Sequence, residues 1–203
     1  MPGEVDGELA VRFARSAVYR NLRVRPPIPV PPTLPATFDE PRGVFVTWYR
    51  GDGHDLRGCI GFPEPRLPLA EGLREASVAA ALEDPRFPPV DASELPSLVV
   101  EVSVLSGFLP VPLAERPDAV RVGVDGLTVE AGRARGLLLP QVAPEQGWSA
   151  SEFLDGACVK AGLAPGAWRS DRVVVRRFGA TIFRERSPWG PVARTDAGGA
   201  GAD

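Results

Sequence analysis

Residues 44–61 carry the sequence VFVTWYRGDGHDLRGCIG, and this stretch gives the first prediction about the fold. The run Val44–Tyr49 is apolar and rich in β-branched and aromatic residues, which favours a strand. Residues 51–55 contain two glycines and two aspartates and therefore predict a turn. An apolar pattern resumes over Leu56–Gly61. The stretch as a whole predicts a β-hairpin with a long loop.

The chain before this hairpin predicts a helix followed by an extended segment. Apolar residues recur at helical spacing over Leu9–Leu22. Arg12, Arg15 and Arg20 lie opposite the apolar side, so we expect them on a solvated face. Residues 25–35 contain so many prolines that they exclude both a helix and a central strand, which predicts an extended or polyproline II strap.

The chain after the hairpin alternates between further strand signals and two helix signals. A helix is predicted to begin at Pro68 and to end before Pro85. Ser149 and Glu152 match a capping box, which predicts the start of a second helix. The predicted strand regions are Leu98–Leu105, a hairpin over Val120–Ala131 that turns at Asp125-Gly126, the short run Gly136–Pro140, Arg172–Phe178 and Ala180–Arg184.

The order of these elements predicts an α+β fold. The strands occur as hairpins without a regular alternation of strand and helix, so we expect a mainly antiparallel sheet with packed helices. Within the chain we expect an N-terminal extension at residues 1–7 and a single domain at 8–186 with two lobes. The Gly- and Ala-rich residues 187–203 are expected to form a mobile tail.

Composition narrows the classes of function. The formal net charge of −3 gives no general attraction to nucleic acid, so we expect none to bind. No apolar run approaches the roughly 20 residues of a membrane span, and the acidic start lacks the features of a signal peptide. With two distant cysteines and one histidine, the sequence predicts free thiols, a cytoplasmic protein, and neither a metal nor a cofactor.

Five short blocks of the sequence resemble the AMMECR family, which takes its name from a human syndrome candidate region. The blocks are LRGCIG at 56–61, DPRFPP at 84–89, EVSVL at 101–105, GLLLPQVA at 136–143 and CVKAGL at 158–163. They occur in the family's order, and the similarity extends from about Glu8 to Glu185. The resemblance implies a two-lobed α+β fold without established enzymology. It also implies an association with Memo-type and radical SAM proteins.

The candidate site is centred on Cys59. Gly58 and Gly61 leave space around the cysteine for a ligand or for another backbone. A thiol near a guanidinium could act as a nucleophile. Alternatively, Cys59 is a small buried hydrophobe and the glycines permit tight packing.

Five further residues complete the set of candidates. Arg57 could hold an anionic group of a substrate, or it could pair with Glu101 or Asp84. Glu101 lies among apolar strand residues, as either a paired acid or a general base. Asp84 and Arg86 flank a proline and could bind substrate or form a local ion pair. Gln141 follows Pro140 in an apolar stretch, where its amide needs a partner.

Two hypotheses of function follow. In the first, the protein binds and positions a small molecule or a partner for a separate enzyme, such as a Memo-type or radical SAM protein. In the second, it is a thiol-dependent enzyme that acts on a small anionic metabolite or a modified base, with Cys59 as nucleophile and Glu101 as base. A homodimer is left open under both hypotheses.

Overall fold

The structure is a computed structural model that describes residues 4–51 and 55–196. The helices are α1 (Gly7–Asn21), α2 (Leu69–Leu82), α3 (Val142–Gln146) and α4 (Ala150–Lys160). The strands are β1 (Gly43–Arg50), β2 (Asp55–Phe62), β3 (Val99–Pro110), β4 (Gly126–Ala131), β5 (Ala134–Leu138), β6 (Val174–Glu185) and β7 (Val192–Asp196). An antiparallel sheet and packed helices make up an α+β fold, so the predicted fold class is confirmed.

The chain divides into two compact units. The first unit consists of Met1–Val104 and Ile182–Thr195, and the second of Leu105–Thr181 and Asp196–Asp203. In the first unit the hydrogen-bonded strand order is β2-β1-β3-β6, with β7 also paired to β6. In the second unit the order is β6-β4-β5. Strands β3 and β6 contribute to both units because a unit boundary falls within each of them.

The core of the first unit lies between its strands and the helices α1 and α2. Val44, Val46 and Trp48 of β1 are fully buried in this core, as are Val100 and Val102 of β3. These residues occupy alternate positions on their strands, so one face of the sheet packs against the helices. The intervening residues point to the opposite face, which carries the candidate site.

The prediction of a solvated face on α1 is wrong for two of its arginines. Arg12 and Arg15 are 8% and 0% exposed, and both bind the buried carboxylate of Glu185. The Arg15 guanidinium also donates to the carbonyl oxygens of Leu95 and Leu98. Because its donors meet a carboxylate and two carbonyls, a charged side chain can lie inside the core.

The core of the second unit is apolar and lies beneath α4. Its fully buried residues include Leu127 and Val129 of β4 and the α4 residues Phe153, Leu154 and Cys158. Helix α4 begins at the predicted capping box. The Ser149 side chain accepts from the Glu152 amide while the Glu152 carboxylate accepts from the Ser149 amide, which confirms that prediction.

Three other predicted elements differ from the structure. Strand β4 begins at Gly126 and pairs with β5, so the expected turn at Asp125-Gly126 is wrong. Asp125 instead binds the backbone and side chain of Arg121 and closes an earlier turn. The two expected closing strands form one continuous strand, β6. The proline-rich strap differs only in part from an extended segment that buries its apolar residues, since Ile28 is 40% exposed whereas Leu34 packs against the core of the first unit.

The C-terminal residues also differ in part from the expected mobile tail. Residues 192–196 form β7, which pairs with β6. Before this strand, the Trp189 ring lies 4.8 Å from the Arg15 guanidinium and 5.4 Å from the Tyr19 ring. These contacts fix the chain immediately after β6. The rest of the predicted tail, residues 197–203, lies outside the described residues.

Candidate functional site

The pairing of β1 with β2 determines where Cys59 points. Thr47 lies opposite Cys59 and Trp48 lies opposite Gly58, in an antiparallel register. Gly58 faces α2, where a Cβ atom would overlap the carbonyl oxygen of Ala80. Since successive residues of a strand alternate between faces, Cys59 points away from the helices. The glycine therefore lets β2 approach α2 closely and directs the cysteine to the other face.

Strands β3 and β6 add two charged residues to this face. Val100 and Val102 belong to the helix-side core, so Glu101 between them points to the opposite face. Phe183 also belongs to that core, and its neighbour Arg184 points with Glu101. We call this surface the Cys59 face. It consists of Thr47, Tyr49, Cys59, Glu101 and Arg184.

The side chains of the Cys59 face contact one another. The Thr47 hydroxyl donates to the Cys59 sulfur at 3.3 Å, and the Tyr49 hydroxyl donates to Glu101 Oε1 at 3.4 Å. Arg184 Nη1 lies 3.5 Å from Glu101 Oε2. The Arg184 guanidinium also lies over the Tyr49 ring, 4.4 Å from its centroid. These contacts join a carboxylate, a phenol, a guanidinium and a thiol in one small area.

The backbone of Cys59 is held by an ion pair from the segment after α2. The Cys59 amide donates to Asp84 Oδ2 at 2.9 Å, and its carbonyl accepts from Arg86 Nη2 at 3.2 Å. The Arg86 guanidinium also forms a two-point hydrogen bond with the Asp84 carboxylate at 2.9 and 2.7 Å. Asp84 is 4% exposed whereas the Arg86 side chain is 54% exposed, so only the acidic half of this clamp is shielded from solvent.

These surroundings change the pKa values of the site. Burial raises the pKa of the Cys59 thiol, and the nearby Glu101 carboxylate raises it further, against the lowering effects of Thr47 and Arg86. Burial also raises the pKa of Tyr49, to which Glu101 again contributes. Hydrogen bonds from Arg86 lower the pKa of Asp84. At neutral pH the thiol and the phenol therefore keep their protons, while Asp84 is ionised.

Arg57 does not join Cys59 and Glu101. It is 1% exposed and binds Glu94 through Nε and Nη2, each at 3.0 Å, so its partner is neither Glu101 nor Asp84. Its guanidinium also donates to the carbonyl oxygens of Pro88 and Pro89. The hydrogen bonds from Arg57 to Glu94 lower the pKa of the Glu94 carboxyl group to about 2. Every nitrogen of the guanidinium is thus engaged inside the protein, which opposes the expected capture of a substrate anion by Arg57.

The remaining candidates lie in other surroundings. A Cβ atom on Gly61 would overlap the Phe45 ring and the Val44 carbonyl, so this glycine serves close packing within the hairpin. Gln141 belongs to the second unit, and its buried Oε1 has no hydrogen-bond partner among the described residues. Asp52 and His54, which a Cys59–His54 dyad or a weak metal site in the loop between β1 and β2 would require, lie outside the described residues.

Sequence reasoning missed three members of the site. Thr47 and Tyr49 could have been found, because the alternation of the strand places both of them opposite the core residue Trp48. Arg184 has no local signal, since its relation to Glu101 depends on the pairing of distant strands. Glu94, the partner of Arg57, lies 37 residues after Arg57 in the sequence and also gives no local signal.

Across 4–51 and 55–196, no group of three or more His, Cys, Asp or Glu side chains is arranged to hold a metal ion. In the same ranges, no helix has both the length and the apolar character that crossing a membrane requires.

The fold and the site define an α+β protein in which a glycine-flanked cysteine is clamped by an Asp–Arg pair. The AMMECR1 family profile matches residues 11–183, which is most of the chain. The chain therefore belongs to the AMMECR1 family.

Similar proteins are known from several archaea. A protein of Thermofilum pendens is 50% identical over 202 residues, covering 92% of this chain and 93% of that protein. A protein of Methanothermobacter thermautotrophicus is 50% identical over 183 residues, covering 89% and 94% of the two chains. The crystal structure of the uncharacterized protein PH0010 from Pyrococcus horikoshii has a TM-score of 0.84 at 46% identity, covering 94% of this chain and 96% of that one. This chain and the Pyrococcus horikoshii protein thus share the fold over nearly their whole length.

Proposed function

We propose that this chain is a binding protein without a catalytic thiol, and that its Cys59 face receives a small molecule or a segment of a partner protein. One observation carries the proposal: the backbone of Cys59 is held in place, and its thiol is protonated at neutral pH. Asp84 and Arg86 hold its peptide on both sides, and burial raises the pKa of its thiol. Catalytic cysteines react as thiolates, and their surroundings lower the pKa. Cys59 has the opposite surroundings.

The groups on the Cys59 face suit a polar ligand. Glu101 offers a carboxylate that is 8% exposed, and Tyr49 offers a protonated hydroxyl. The Arg184 side chain is 30% exposed, and beside the face the Arg86 side chain is 54% exposed, whereas Arg57 is enclosed. An anionic group would therefore meet Arg86 or Arg184. A few convergent polar groups of both charges favour the selection of a small polar molecule.

The identity of the partner is a separate part of the proposal. We propose that the bound group belongs to, or is passed to, a Memo-type or radical SAM protein in the cytoplasm. This part rests on the family resemblance alone. The Cys59 face supplies a surface on which it can be tested.

The reactivity of the thiols tests the proposal. In the native protein we expect iodoacetamide to label Cys59 slowly at pH 7, with the rate rising only in the alkaline range, because burial raises the pKa of this thiol above its ordinary value. Cys158 is fully buried and should remain unlabelled until the protein unfolds. Mass spectrometry of the two cysteine peptides measures both rates. Near-maximal labelling of Cys59 at pH 7 would favour the thiol-dependent enzyme instead.

Binding of the partner tests the second part. A Memo-type protein from the same genome, titrated by calorimetry, should lose about tenfold or more in affinity when Glu101→Gln and Arg184→Gln are combined. The Arg66→Gln variant is a matched control, because Arg66 is 75% exposed and lies in the loop before α2. Equal affinity of all three proteins would exclude the Cys59 face as the contact surface.

A further inference from the structure

Helices α1 and α2 border an open groove in the first unit that uses none of the residues of the Cys59 face. One cavity of the groove has a volume of about 270 Å³ and is lined by Phe13, Ser16, Ala17, Arg20, Arg74 and Val78, among others. A second cavity of about 280 Å³ shares Asn21, Arg74 and Val78 with the first and adds Phe62, Glu75 and Glu83. Because the two cavities share three lining residues, they form one continuous groove. The volume of each cavity is near the lower limit for small-molecule sites, which is roughly 300 Å³.

The spacing of the lining residues explains the groove. Phe13, Ala17 and Arg20 recur at helical spacing and form one stripe of α1, while Arg74 and Val78 lie one turn apart on α2. Phe13 and Val78 are partly buried against the core of the first unit. The floor of the groove is therefore apolar, and it remains open to solvent at the top.

The groove carries different charges at its two ends. Arg20 and Arg74 line the first cavity, whose described lining contains no acidic residue. Glu75 and Glu83 line the second cavity, which Arg74 also borders. Arg74 and Glu83, the residue that caps the end of α2, are nine residues apart, or about 13 Å along the helix axis. Arg74 also contacts Glu71 at 3.8 Å and Glu75 at 3.2 Å, but all three side chains are more than one-third exposed, and such pairs are easily exchanged for a ligand.

A buried hydroxyl lies beside the basic end. Ser16 lines the first cavity and is 1% exposed, and its Oγ has no hydrogen-bond partner among the described residues. Buried polar atoms nearly always have a partner, so such an atom beside a cavity indicates that a ligand or a water molecule supplies one. The hydroxyl and the two arginines are together typical of a site for a carboxylate.

We propose that this groove binds an amphipathic monocarboxylate, with its carboxylate between Arg20 and Arg74 and its hydrocarbon chain over Phe13, Ala17 and Val78. The acidic far end disfavours a ligand with a second carboxylate. This site is independent of the function proposed for the Cys59 face. The two proposals can therefore fail separately.

Octanoate is the probe, titrated by calorimetry into the full chain at low ionic strength. We expect binding at millimolar concentration or better, several-fold weaker binding of octanedioate, and none of octylamine. The combined variant Arg20→Gln and Arg74→Gln should bind octanoate about tenfold more weakly. Val78→Trp, which fills the groove, should abolish binding. Arg66→Gln is the matched control and should bind within about twofold of the wild type.

Three results would overturn the proposal. The first is no octanoate binding to the wild-type chain at about 10 mM, well above the affinity we expect. The second is wild-type affinity in the double arginine variant. The third is binding of octylamine as strong as that of octanoate, which would mean that the arginines do not select the ligand. Circular dichroism and thermal unfolding of each variant exclude loss of the fold as the cause of lost binding.

Discussion

Both units use a glycine to pack a strand closely against a helix. Their cysteines, however, lie in different surroundings. In the first unit a Cβ atom on Gly58 of β2 would overlap the Ala80 carbonyl of α2. In the second unit a Cβ atom on Gly136 of β5 would crowd the backbone of α4 at Ala157 and Ala161. Each glycine removes a side chain so that a strand can lie directly on helix backbone.

The difference lies in what surrounds each cysteine. Cys59 adjoins Gly58 on the strand and points to the polar Cys59 face, whereas Cys158 belongs to α4 and is fully buried in an apolar core. Of the buried polar or charged residues described here, all but Asp125 belong to the first unit. The first unit therefore depends on buried paired charges, and the second unit depends on apolar packing. Four predictions test this contrast.

Arg15→Met should give the largest loss of stability. It leaves the buried carboxylate of Glu185 with less compensation, and removing one partner of a buried ion pair costs about 3–5 kcal/mol. Urea denaturation measures the change in the free energy of unfolding. The exposed Arg66→Met serves as the control and should change it by less than about 0.5 kcal/mol. A loss below about 1 kcal/mol for Arg15→Met would contradict a first unit that depends on paired charges.

Gly58→Ala and Gly136→Ala should each destabilise the protein by about 2–3 kcal/mol, since the new methyl groups meet helix backbone that cannot move aside. The matched control is Gly179→Ala, where a Cβ atom would lie in ordinary contact, 3.4 Å from the Ser106 hydroxyl. Thermal unfolding measures all three variants. If Gly136→Ala were tolerated while Gly58→Ala was not, the two units would not share this device.

Glu94→Gln should cost about 1–2 kcal/mol near neutral pH, since it weakens the charged hydrogen bonds to buried Arg57. The folded-state pKa of Glu94 is lowered to about 2 from an ordinary value of 4.5. Its contribution is therefore complete above about pH 5 and is lost as the pH falls toward 2.

The measurement is the melting temperature of the wild type and of Glu94→Gln between about pH 2 and pH 7. The difference between them should close toward the acid end. Glu130→Gln in the second unit is the control, because Glu130 and its partner Arg176 are each about one-third exposed. A constant difference at every pH would contradict the assigned role of the Arg57–Glu94 pair.

Ser149→Ala should have the smallest effect, about 1 kcal/mol, because it removes the cap of α4 in the second unit. Asp6→Ala removes the corresponding cap of α1 in the first unit, where Asp6 Oδ1 accepts from the Leu9 amide at 3.0 Å. Chemical denaturation should give similar losses for both variants. A much larger loss for Asp6→Ala would mean that this aspartate does more than cap a helix.

The features that the sequence predicted correctly depend on neighbouring residues. The capping box at Ser149, the helix after Pro68 and the hairpin that carries Cys59 each have their determinants within a few residues, and each is present. The turn at Asp125 was misplaced for a local reason, because its carboxylate binds the Arg121 amide and turns the chain earlier. Cys59 and Glu101 share a face. The alternation of each strand, which is also a local property, turns both residues away from the helices.

The features that could not be predicted depend on distant pairs. Arg15 resembled a surface arginine because its counter-ion, Glu185, lies 170 residues away. Arg57 resembled a ligand-binding residue because Glu94 lies beyond a whole helix. Local periodicity reports on which side of an element a residue lies, but it does not report which charged group lies opposite. Only the fold supplies that partner.

The discontinuity of the first unit has a consequence for synthesis on the ribosome. Helix α1 is made early, yet Glu185, which binds Arg12 and Arg15, follows Arg15 by 170 residues. The main segment of the second unit, Leu105–Thr181, is therefore translated before the first unit can close. Domains generally fold from the N-terminus as they emerge. In this protein the nascent N-terminal helix must instead wait until Glu185 has been translated before its two arginines can bind that carboxylate.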